Sequence, residues 1–198
     1  SSPKQVVEMY PLIKECLKED PLKRLSFSKI LKTMGSQEFI NKFDNFDIKL
    51  FQKHQKTVVD KKFIYTLVNN NLSRKKDEFK LLQKIGFGNL GSIRLVCDKK
   101  DKSMYVFKEY PQLQYTLLKR TVKILTTINL PSIIKIDGII EPVEEFDNYV
   151  VILPYANNLD LDLIIRKKKP LLDYTQKCII LYGIAMGIYD LHNHDIIH

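Results

Sequence analysis

The sequence predicts an α+β fold: an antiparallel sheet carrying one packed helix, with further helices before and after it. Three observations carry that reading. A loop with regularly spaced glycines, Gly86-Phe87-Gly88-Asn89-Leu90-Gly91, lies between two β-like runs, Phe79 to Ile85 and Ser92 to Cys97. Apolar residues recur at helical spacing both before and after that stretch. The 198 residues are 44% hydrophobic and 10% aromatic, a composition that can bury a core and argues against disorder.

Taken in order, residues 6–17 place Val6, Tyr10, Ile13 and Leu17 on one helical face, and Asp20-Pro21 then turns the chain. Ser26 is placed to cap a second helix, with Phe27, Ile30, Leu31 and Met34 on one face and Gly35 to end it. Residues 36–77 hold many aromatics and neither Pro nor Gly, which predicts a packed connector rather than a flexible linker, helical in part over residues 48–59. After the glycine loop, Asp98 to Ser103 reads as a turn and Tyr105 to Tyr110 as a third strand. The periodicity predicts a helix over Leu113 to Ile128, strands over Ile139 to Val143 and Tyr149 to Leu153, and helices over Leu159 to Ile165 and Gln176 to His192. In the last helix Ile180, Ile184 and Ile188 suggest the buried face.

The glycine spacing alone is a weak signal, and its surroundings sharpen it. A dinucleotide fingerprint would open a helix, whereas this loop runs into Ser92-Ile93-Arg94-Leu95-Val96-Cys97, a β-like segment. Ile93 falls two residues after the third glycine, and a strand containing Val106-Phe107-Lys108 follows. Here the chain resembles the protein kinase family. The resemblance implies a bilobal fold in which the loop of Ile85, Gly86, Gly88 and Gly91 covers the phosphates of ATP. It also implies that Ile93 and Val106 sandwich the adenine and that Lys108 holds the α and β phosphates. Leu153 then stands at the gatekeeper position, and the backbone of Pro154 and Ala156 faces the adenine, with Pro154 in place of the usual acid. Leu191 to His198 resembles the run into the catalytic loop.

A second resemblance lies at the other end. Cys16, Asp20, Pro21, Arg24, Ser26 and Phe27 resemble the last two helices of a kinase domain, in the pattern of the tyrosine-kinase-like group, with Leu25 where Pro is usual. It implies that Arg24 pairs with a buried acid lying before Ser1. The expected organisation is therefore residues 1–35 as closing helices of a preceding kinase-like domain, 36–77 as connector, and 78–198 as the small lobe and first large-lobe helices of a second. Both ends read as cut, which predicts an exposed apolar patch on the helix from Gln176.

The family pattern breaks on the helix after Lys108. The Glu that pairs with the lysine falls on Thr121, and no Asp or Glu occurs from Tyr110 to Ile136. Val106 is also larger than the residue usual there. By the resemblance, the catalytic Asp and the Asn and Asp that hold magnesium lie beyond His198. The expected function is an ATP-dependent protein kinase, acting with ATP and magnesium on protein Ser/Thr or Tyr. The alternative is a pseudokinase that binds a partner as a scaffold.

Other classes are disfavoured. A net charge of +9 and a pI near 9.3 suit acidic partners, but Lys and aromatics do not interleave as a nucleic-acid surface would require. Arg166 to Lys169 reads as a solvated loop. Cys16, Cys97 and Cys178 lie far apart without metal spacing, and His54, His192, His194 and His198 lack a nucleophile partner or metal-ligand spacing. With no long apolar run or signal peptide, neither a membrane span nor export is expected, and the cytoplasm is the default.

Overall fold

The computed structural model describes residues 3–59, 72–88, 91–127, 131–143, 148–158, 160–167 and 172–197. They fall into two compact units, one from residues 1–61, 130–132 and 162–198, the other from 62–129 and 133–161.

The first unit is helical: α1 (Pro3–Cys16), α2 (Phe27–Met34), α3 (Gln37–Ile40) and α4 (Ile48–Val59), then α6 (Leu161–Lys167) and α7 (Tyr174–His192). Ser26 caps α2 as expected, its hydroxyl accepting from the Lys29 N–H, and Ile30, Leu31 and Met34 are buried. In α7 an Asp173–Gln176 capping box starts the helix at Tyr174, two residues before the predicted start. Phe39, Phe43 and Phe51 join Cys178, Tyr182, Ala185 and Met186 in one buried cluster with the α2 residues. Phe51 meets Tyr182 edge-on at 5.6 Å and Phe43 stacks on Tyr174 at 5.6 Å. The Asp47 N–H donates to the Thr175 hydroxyl at 2.8 Å, which fixes the start of α4 against the start of α7. This core continues across position 35, since residues on both sides of it bury against α7.

Three expectations change here. On the predicted face of α1 and just past its end, Tyr10 and Leu17 are 60% and 74% exposed, and Met9, Leu12 and Cys16 pack on the core instead. Two apolar stripes run one residue apart along that helix, and the neighbouring helices select between them. On α7, the Ile184 side of the predicted face is exposed, and Cys178, Tyr182, Ala185 and Met186 form the buried one. This helix is apolar almost all round, so periodicity could not choose. The predicted bare patch on α7 is covered along that buried face by α2 and α4, although Leu181 and Ile184 stay exposed. Within this chain Arg24 donates to the carbonyl oxygens of Lys18 at 2.7 Å and Glu19 at 3.3 Å.

The second unit is built on an antiparallel sheet of β1 (Phe79–Gly88), β2 (Gly91–Asp98), β3 (Met104–Tyr110), β4 (Gly138–Ile140) and β5 (Tyr149–Pro154), in the order β1-β2-β3-β5-β4, with α5 (Tyr115–Thr127). The β2–β3 turn is closed by the Asp98 N–H on Ser103 O and the Lys102 N–H on Asp98 O. Phe79, Val96, Phe107, Ile140, Val150 and Ile152 fill one face of the sheet, while Tyr110 and Val151 meet Leu118 of α5 on the other. The fourth strand is shorter than predicted and ends at Ile140.

Ahead of β1, the chain runs parallel to β4: the Arg74 N–H donates to Ile139 O and the Ile139 N–H to Leu72 O. Arg74 then bridges two acids, Glu78 at 2.6 Å and Asp98 at 2.7 Å, and its guanidinium lies 4.7 Å over the Phe79 ring. Gly138 permits this crossing, because a Cβ there would come within 2.7 Å of Arg74 Cγ.

Candidate nucleotide site

Strand register gathers the residues that matter. Ile93 pairs with Lys108 and Lys108 with Val151, while Leu95 pairs with Val106 and Val106 with Leu153. Directly paired residues point to the same side of a sheet, so these form two adjacent rows on the face that carries α5. On β1 the partner of Ile93 is Gly86, whose missing Cβ would touch only the Ile93 side chain, at 3.7 Å. The row of Lys108 therefore meets β1, two strands away, at a residue without a side chain, which leaves the Ile93 side chain uncovered there.

Gly91 has a different reason to be glycine. Its φ is +151°, and a Cβ there would drive into the carbonyl oxygen of Glu109. Backbone approaches backbone at this point, next to Lys108. Gly88 pairs with Gly91 across the hairpin, and the two loop residues between them lie outside the described residues. Ile85 is 43% exposed and Phe87 75%.

Pro154 ends β5 opposite Tyr105, and the chain leaves the sheet through Tyr155 and Ala156, all three exposed. Proline keeps its carbonyl acceptor and lacks only the N–H. Leu153 is half-buried beside Val106. Sheet register thus brings Gly86, Ile93, Val106, Lys108 and Leu153 together, with Gly88 and Gly91 at one end of the rows and Pro154 and Ala156 beyond the other.

The helix partner of the lysine is missing in space as in sequence. Helix α5 carries Lys119, Arg120 and Lys123 with half-buried Thr121, and no acid. Among the described residues the Lys108 ammonium pairs with no carboxylate and lies 5.4 Å from the centre of the buried Tyr110 ring. Cation–π geometry of that kind attracts a cation to the ring face.

Glu109 is the residue that sequence reasoning passed over. Alternation along β3 turns it to the opposite face from Lys108, where it accepts from the Ser92 hydroxyl and, at 3.0 Å, from Arg94 Nε. The signal was the β2–β3 register, which a known turn at residues 98–103 would have supplied.

The protein kinase domain model matches residues 79–198, more than half of the chain. A probable serine/threonine-protein kinase, PLK, of Dictyostelium discoideum is 26% identical over 141 residues, 68% of this chain, which spans only 14% of that relative's length. The α+β architecture, the antiparallel sheet and the lysine strand beside the glycine loop agree with that match, and on these grounds the chain belongs to the protein kinase family.

Proposed function

We propose that this chain supplies the nucleotide-binding part of a protein kinase that transfers the γ-phosphate of ATP to protein Ser/Thr or Tyr. The observation that carries the reading is the row Gly86–Ile93–Lys108–Val151, which aligns the lysine across the sheet with a glycine of the loop, Ile93 standing between them. Ile85, Ile93 and Val106 would hold the adenine against Leu153, with the Pro154 carbonyl and the Ala156 main chain offered to its edge. Lys108 and the amides around Gly86, Gly88 and Gly91 would hold the phosphates. Magnesium would neutralise phosphate charge when bound, and no residue of this chain is assigned to it.

The absence of any acid on α5 favours a second reading, a pseudokinase that binds nucleotide or a protein partner without phosphoryl transfer. In either case we read Cys16, Asp20, Pro21, Arg24, Ser26 and Phe27 as marks of the tyrosine-kinase-like group. We also read residues 1–35 as closing helices of a preceding kinase-like domain joined through 36–77, and the setting as cytoplasmic. Among the described residues no helix is long and apolar enough to cross a membrane.

The test is titration of the 198-residue chain with ATP, with and without magnesium, beside the Lys108→Ala variant. Saturable ATP binding that falls by about tenfold or more in the variant, the loss of one charge-assisted contact, is the expected result. Absence of ATP binding, or indifference to Lys108, would overturn the nucleotide reading. Longer protein carrying both the lysine and the downstream catalytic loop separates kinase from pseudokinase by phosphate transfer to a generic protein substrate.

A further inference from the structure

We infer that Glu109 is a positioning residue that fixes the phosphate end of the site by holding the root of the glycine loop to the lysine strand. The inference rests on the nucleotide reading above.

Ser92 follows directly on the third glycine, and it is buried. Its hydroxyl donates to one carboxylate oxygen of Glu109, and Arg94, two residues further along the same strand face, donates to the other. Both oxygens of Glu109 are thus committed to β2, and its side chain is only 18% exposed. On the main-chain side, Gly91 rests against the Glu109 carbonyl so closely that no Cβ fits between them. One residue of β3 therefore grips β2 at three places around the loop's exit: Gly91 through its backbone, Ser92 and Arg94 through its carboxylate.

Glu109 is covalently next to Lys108, so what it fixes is the separation between the exit of the glycine loop and the lysine. With no acid on α5 to orient Lys108 from the helix side, this clamp works from within the sheet. Its side chain lies on the face away from Lys108, so it makes no contact with a nucleotide held over the lysine. It acts through Ser92 and the backbone.

The consequence is selective. Of the adenine contacts, Val106 and Leu153 lie in the neighbouring row of the sheet and only Ile93 shares the row of Lys108, whereas every phosphate contact requires loop and lysine at a set distance. The experiment compares ATP and adenosine binding by calorimetry in the 198-residue chain and in Glu109→Ala, Glu109→Gln and Ser92→Ala. Expected is a loss of about tenfold in ATP affinity for Glu109→Ala, a smaller loss for the two milder variants, and a loss of no more than about twofold for adenosine. Equal losses for ATP and adenosine, or no loss for either, would overturn the clamp.

A second measurement stands without nucleotide: hydrogen exchange at the Gly91, Ser92 and Ile93 amides. Faster exchange there in Glu109→Ala, with the β3–β5 amides unchanged, supports the clamp, and unchanged exchange overturns it. A chain that binds no ATP at all would refute the nucleotide reading, and the exchange result would still decide whether Glu109 holds the loop.

Discussion

Replacing Arg74 by Ala should destabilise the sheet-bearing unit more than any other change of an exposed-looking charge. Arg74 sits in Ser73-Arg74-Lys75-Lys76, at the end of the predicted connector, and its guanidinium bridges two carboxylates and covers Phe79. The Asp98 side chain is only 7% exposed, so deleting Arg74 leaves a nearly buried carboxylate with the Lys100 and Asp101 N–H groups as its donors. A hydrogen bond to such a charged group is worth about 1.5–3 kcal/mol, and the contact with the Phe79 ring adds about 0.5–1 kcal/mol. Because the Arg74 side chain keeps 26% of its surface in solvent, we take the lower end, about 2 kcal/mol in all. The solvated Glu78 arm is left out.

For a chain of this size that loss lowers Tm by roughly 4–8 °C. Thermal unfolding of the chain and of Arg74→Ala, followed by circular dichroism, reads it directly. Lysine should rescue only in part, since one ammonium cannot fork between two acids. Acid should erase the difference. The Arg74 hydrogen bond, with help from the Lys100 N–H, holds the Asp98 carboxyl below its ordinary value. A depressed folded value contributes stability that is full above the unfolded pKa of about 4 and is lost as pH falls through the folded one. Wild type and variant should therefore begin to converge as pH falls below about 4 and come together only below the depressed folded value of Asp98. A Tm within about 1 °C of wild type at pH 7 would refute the reasoning.

The remaining expectations are shorter. Phe51→Ala removes a ring that is 0% exposed and packed on Phe46 and Tyr182, and urea unfolding should show a loss of about 3–5 kcal/mol in the helical unit. Burial pushes the Cys178 thiol up to about 11, so at pH 8 roughly one molecule in a thousand carries the thiolate. Iodoacetamide should spare Cys178 in the folded chain and label it only in denaturant, and ready labelling of the native protein would contradict that burial. Gly91→Ala should lower Tm by several degrees while Gly86→Ala leaves it nearly unchanged, because only the first collides with backbone.

What could be read from the chain and what could not divide along a physical line. The strands around the glycine loop were legible because alternation and glycine spacing are local, and the Ser26 cap because it is set by one side chain and its own helix. The buried face of α7 was not, since a helix apolar on all sides leaves the choice to its neighbours, here α2 and α4. Glu109 and Arg74 looked like ordinary strand and loop charges. Their roles come from partners 17 and 24 residues away, which only register supplies. The missing acid at Thr121 was legible, and the aromatic contact on Lys108 was not.

That contact suggests a way to ask what the missing acid costs. Lysine affinity for phosphate is set by where the ammonium rests, and here it rests over a neutral ring rather than beside a carboxylate. Thr121→Glu restores an acid at the position counted from Ile124 and Leu125, on a helix whose Lys119, Arg120 and Lys123 would also welcome it. The new carboxylate should tether Lys108 and raise ATP affinity by about three- to tenfold, a partly solvated ion pair being worth roughly 0.5–1.5 kcal/mol. In Lys108→Ala the same substitution should do nothing, because the gain belongs to the pair. A gain that persists without Lys108 would mean that the acid acts only on the α5 cations. A loss would mean that the site is tuned to a lysine left free for the phosphates, which favours a chain that holds nucleotide over one that turns it over.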